Sequence, residues 1–83
     1  MNKEKTPTLE EFKSAIEKSF RESEPLLNDA EVKKYLNTDD CNEYFEVEYK
    51  EYKEKFESGE ITIRHFMEGV VARIAYELAM EYE

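Results

Sequence analysis

The stretch ITIRHFMEGVVARIAYELAMEY, residues 61–82, decides the fold of this chain. Its apolar residues fall at Ile63, Phe66, Met67, Val70, Val71, Ile74, Leu78 and Tyr82. Steps of three and four residues put such a set on one side of an α-helix. Gly69, Ala72, Ala75 and Ala79 lie beside this stripe, so a neighbouring helix could approach closely there. The segment therefore predicts a long helix that serves as the spine of a bundle.

Upstream, three further helices are marked by their own start signals. Thr8 with Glu11 three residues later forms a capping box, and Leu9, Phe12, Ala15, Ile16 and Phe20 make the stripe that follows. Glu24-Pro25 disfavours continuation of that first helix. Asn28 with Glu31 opens a short second helix over about 29–36, with Leu27 and Val32 placed as a hydrophobic staple. The run Asn37-Thr38-Asp39-Asp40 closes the second helix and caps a third that starts at about Asp40, with Asp39 and Asp40 supplying a side-chain acceptor and negative charge at its N-terminus. The third helix runs to about Ser58 with Cys41, Phe45, Tyr49, Tyr52 and Phe56 on one stripe, and Gly59 suits the position just past its end. Thr62 caps the last helix, with Ile61 and Phe66 as a further staple. No segment alternates with period two. The expectation is an all-α single-domain bundle of four helices, the second short, over residues 8–83, with residues 1–7 a flexible N-terminus. The expected core is Leu9, Phe12, Ile16, Phe20, Val32, Leu36, Phe45, Tyr49, Tyr52, Phe56, Phe66, Val70, Ile74 and Leu78.

Composition narrows the function. The formal net charge is −9, from 21 acidic and 12 basic residues. Phosphate binding needs clustered Lys and Arg, so direct nucleic-acid binding is excluded as an expectation, as is attraction to an anionic membrane. A single cysteine, Cys41, forbids an internal disulfide. Residues 1–8 are polar and mildly basic and do not resemble a signal peptide, and no apolar run is long enough to span a membrane. These features point to a cytoplasmic protein, and the charge opposes self-association, so a monomer is expected.

Catalytic and metal-binding patterns are missing. His65 is the only histidine and stands near a helix start with no second or third ligand placed by sequence. Cys41 has no catalytic companion and lies on the apolar stripe, as a packed thiol would. Residues 37–48 can be laid on a calcium-loop template, but Asn42 stands where that loop needs glycine. There is no phosphate-binding loop and no nucleophile elbow. The reading is therefore a non-enzymatic protein without cofactor or metal.

Two other features carry information. The acidic residues of the third helix are interleaved with Lys50, Lys53 and Lys55, and Glu46–Lys50 and Glu51–Lys55 have the spacing of ion pairs along a solvated face. A DNA-mimic inhibitor of a nucleic-acid-processing enzyme is the alternative use of such acidity, and the interspersed lysines argue against it. The chain also has six tyrosines. Tyr44, Val47 and Tyr76 fall off the main stripes, and tyrosine is enriched at interaction hot spots, so these three are the candidate protein-binding residues.

The segments Leu9-Glu10-Glu11-Phe12, Phe20 to Leu27, Glu31 to Leu36 and Phe66-Met67-Glu68-Gly69, taken together, resemble a group of small proteins encoded on conjugative transposons and related mobile elements of gut Firmicutes. The resemblance covers most of the chain and rests on structural residues. It implies a bacterial cytoplasmic setting and an accessory role, and it transfers no activity and no functional residue.

Overall fold

The start signals at Thr8, Asn28 and Thr62 are used. In the computed structural model, which describes residues 5–82, α1 spans Leu9–Ser23, α2 Asp29–Leu36 and α3 Asp39–Glu57. A π-helical turn, His65–Val70, then leads directly into α4, Val71–Tyr82. No strand occurs among the described residues. The expected all-α bundle of four helices is the observed architecture.

The caps are reciprocal where the sequence suggested it. The Glu11 amide donates to the Thr8 hydroxyl and the Thr8 amide to the Glu11 carboxylate, both at 3.1 Å. Asn28 and Glu31 repeat the arrangement at 2.9 and 3.2 Å. At α3 the cap acceptor is Thr38 rather than the expected Asp39 or Asp40: its hydroxyl accepts from the Cys41 amide at 3.1 Å, while the two aspartates occupy the first turn and contribute only their charge there. Thr62 accepts from the His65 amide at 3.0 Å. The end of α3 is a Schellman motif: the Gly59 amide donates to the Phe56 carbonyl and the Glu60 amide to the Lys55 carbonyl. Gly59 has φ of 86°, a left-handed conformation that a side chain would strain.

The π turn corrects the expectation of one uninterrupted α-helix over the last segment, and it has a physical reason. At about 100° per residue, the centre of residues 63, 66, 67 and 70 and the centre of residues 71, 74, 75, 78 and 79 differ by roughly 100° around a regular α-helix. A π turn accommodates about one extra residue, which rotates everything after it back by about the same angle. The two stripes thereby face the same core. Consequently Val71, Ala75 and Ala79 are buried with Val70, Ile74 and Leu78, whereas regular α-helical spacing places the two alanines beside the stripe. Gly69 and Ala72 face solvent.

Phe12, Phe20, Phe56, Phe66, Ile16, Ile74 and Val32 are fully buried. Phe66, inside the π turn, is the hub: its ring lies 5.5 Å from Phe12, 5.9 Å from Phe56 and 6.0 Å from Tyr49. Leu9, Tyr49 and Tyr52, expected in the core, are half-buried and pack against it. The longest helix–helix contact is α1 along α4, where the small side chains of Ala75 and Ala79 are buried. The short α2 is tied down by Tyr35, whose hydroxyl donates to the Leu78 carbonyl at 3.2 Å and whose ring stacks on Phe20.

The expected flexible N-terminus, residues 1–7, is only partly borne on by the structure, since residues 1–4 lie outside the described residues, as does Glu83. Pro7 is buried, and its carbonyl accepts from the Tyr49 hydroxyl at 2.6 Å. The Thr6 hydroxyl donates to Glu57 at 3.2 Å. Ordered contacts thus begin two residues before the Thr8 cap.

Candidate functional site

Between α3 and α4 runs a polar seam built by residues far apart in sequence. Arg73 of α4 is its centre, with one guanidinium nitrogen 3.5 Å from Glu48 of α3 and another 3.3 Å from Glu77. The Tyr44 hydroxyl donates to the other Glu77 oxygen at 3.0 Å. The Arg73 guanidinium also lies 5.9 Å from the centre of the Tyr52 ring, which Lys55 approaches to 5.0 Å. Glu48 is mostly shielded from water, whereas Arg73 and Glu77 remain partly exposed.

The electrostatics follow from those contacts. Burial pushes the Tyr44 phenol up to about 12, reinforced by its hydrogen bond to Glu77 and by the Glu77 and Glu48 charges. Partial burial disfavours the charge on Arg73, but the Glu48 carboxylate overrides this and raises its pKa further above the usual range. Burial likewise raises the Tyr35 phenol.

A raised phenol has a defined consequence for stability. The folded protein holds the Tyr44 proton more tightly than the unfolded chain, whose phenol titrates near 10.0. The stabilisation is complete below pH 10 and is lost as pH rises towards about 12. In Tyr44→Phe this loss is expected to be smaller. Denaturant melts across that range, with phenolate absorbance followed in parallel, check it. Equal alkaline losses in both proteins would show that the Tyr44–Glu77 bond does not hold the proton.

The three residues singled out from sequence all belong to this side of the molecule. Tyr44 is half-buried in the seam. Val47 and Tyr76 are each 62% exposed. By helix geometry Val47 lies on the outward side of Tyr44 and Glu48, and Tyr76 on the outward side of Arg73 and Glu77. They flank the seam from opposite helices. Sequence reasoning missed a fourth member, Met80, which is 60% exposed and one turn beyond Tyr76. Ala72, Tyr76 and Met80 form a second apolar stripe at steps of four, and that spacing was the available signal.

Other candidates resolve into structure. The Cys41 thiol donates to the Tyr35 carbonyl at 3.6 Å and packs against the core. His65 is exposed. Among the described residues no group of three or more His, Cys, Asp or Glu could hold a metal ion. Leu26, 97% exposed in the α1–α2 loop, stands alone beside Leu27, which packs inward. Single exposed apolar residues are ordinary.

The expected ion pairs Glu46–Lys50 and Glu51–Lys55 do not close within 4.0 Å among the described residues. Solvated lysine pairs gain little over hydration, and Lys55 lies over Tyr52 while Lys53 sits 6.0 Å from the Tyr49 ring centre. No family model, curated protein or solved structure matches this chain.

Proposed function

We propose that this protein is a non-enzymatic protein-binding module, an accessory component of a bacterial mobile element, that docks a partner on the outer face of α3 and α4. One observation carries the reading: Val47, Tyr76 and Met80 expose large apolar surface on the two flanks of a seam whose own polar groups are paired internally. A rigid, internally satisfied seam with apolar shoulders is suited to association, because little has to reorganise when a partner covers it. Exposed tyrosine and methionine are residue types over-represented in such contacts. The mobile-element and cytoplasmic setting rests on the sequence resemblance. The protein acts as a monomer in this reading, and sedimentation at 9.9 kDa rather than twice that mass checks it.

The test is a triple surface variant, Val47→Ser with Tyr76→Ser and Met80→Ser. Exposed positions away from caps and core tolerate substitution within about 0.5 kcal/mol each, so the helical signal and thermal midpoint stay close to wild type. Affinity purification from the native host is expected to recover a saturable partner with the wild-type protein and to lose it with the variant. Equal recovery with both proteins sinks this face as the docking surface.

A further inference from the structure

The next question is what kind of segment the face accepts, and the answer rests on the docking reading just given. Where the first turn of α3 meets the last turns of α4, within one helical turn of Met80 along the chain, a hollow of about 360 Å³ opens, lined by Asp40, Cys41, Tyr44, Glu77, Leu78 and Glu81. Three carboxylates rim it and no basic side chain lines it. Glu77 is engaged by Arg73 and Tyr44, whereas Asp40 and Glu81 form no ion pair among the described residues. Leu78, Cys41 and the Tyr44 ring supply its apolar lining. A lysine or arginine matches this shape and charge: an aliphatic stem on Leu78 and Tyr44, with the cation among the carboxylates.

The apolar shoulder adds a direction. Ala72, Tyr76 and Met80 extend along α4 for about 12 Å, at 1.5 Å per residue. A linear strip of that length fits the i, i+4 anchors of a helix laid beside it. Strand addition is not open to this surface, because every described element is helical. A second copy of this chain would bring another −9 and a second acidic rim against the first, so the partner is a different molecule of opposite sign.

We infer that the outer α3–α4 face binds a basic amphipathic helix, with apolar side chains on Tyr76 and Met80 and a lysine or arginine seated among Asp40, Glu77 and Glu81. The overall charge steers such a segment to the surface, and the hollow with its shoulder fixes where it settles.

The experiment uses the full chain and synthetic peptides. The protein has no tryptophan, so a single tryptophan in each peptide reports binding by fluorescence. The probes are an 18-residue amphipathic Leu/Lys helix, the same composition scrambled so that leucine faces all sides, and a Leu/Glu helix of the first pattern. The Leu/Lys helix is expected to bind at roughly micromolar affinity, about tenfold more tightly than the scrambled peptide. Tyr76→Ser with Met80→Ser, which leaves charge unchanged, weakens it about tenfold. Asp40→Asn with Glu81→Gln weakens it by a similar factor and flattens its salt dependence. Absence of Leu/Lys binding overturns the inference, as does equal affinity for the scrambled peptide or for the Tyr76/Met80 variant, since either of the latter means diffuse charge attraction. Binding of the Leu/Glu helix as tightly as the Leu/Lys one, and lost in the Tyr76/Met80 variant, overturns the basic class while leaving the docking face standing.

Discussion

Deleting Gly69 from the middle of the last helical segment is expected to leave the protein folded, whereas deleting Glu51 from α3 unfolds it. Gly69 belongs to the π turn, which already holds one residue more than a regular helix needs. Without it the segment can run as a plain α-helix, and Val71, Ile74, Ala75, Leu78 and Ala79 stay over the core. Val70 turns away, at a cost of about 1.5–3 kcal/mol. Glu51 sits in regular α-helix with no spare residue to absorb its loss. Its removal rotates Tyr52 and the buried Phe56 by about 100°, which takes Phe56 out of the core. That loss is on the scale of Phe→Ala in a core, about 3–5 kcal/mol, against a total near 4–12 kcal/mol for a chain of this size. Far-UV circular dichroism melts of the two deletions decide the matter. Unfolding of the Gly69 deletion with survival of the Glu51 deletion would mean that the π turn does not align the stripes.

The second large effect is at Phe66. Phe66→Ala is expected to lose about 3–5 kcal/mol, because the site is fully enclosed and cannot collapse onto the gap. Three aromatic neighbours, Phe12, Tyr49 and Phe56, lose their contacts at once. Tyr76→Ala, on the open face, stays within about 0.5 kcal/mol. Urea titration of both variants gives the comparison. A loss at Phe66 below about 1 kcal/mol would show that the aromatic cluster is not the centre of the core.

Local chemistry made most of the fold legible in sequence. Thr8–Glu11, Asn28–Glu31, Thr62 and Gly59 act through neighbours three or four residues away, and such signals survive without knowledge of the tertiary structure. The π turn was not legible, because counting at 3.6 residues per turn assumes the regularity that the turn breaks. The clue lay in Ala75 and Ala79, an apolar set out of phase with Ile63, Phe66 and Met67. The candidate site was legible in part. Tyr44, Val47 and Tyr76 stood out as off-stripe, but the bond from Tyr44 to Glu77 spans 33 residues and arises only in the folded chain. Arg73 likewise reaches Glu48 across the seam, while the local lysine pairs that sequence spacing suggested stay open. Met80 does not stand out in sequence because a single-stripe pattern covers only one face of a helix, and α4 carries two.

The central claim is that the outer face of α3 and α4 is where a partner docks, and site-specific photo-crosslinking in the native host tests it most directly. A photoreactive residue replaces exposed Tyr76 in one protein and, as the control, exposed Lys18 of α1 in another. The account predicts a discrete light-dependent adduct from position 76 and none from position 18. No adduct from position 76, or the same adduct from both positions, contradicts it.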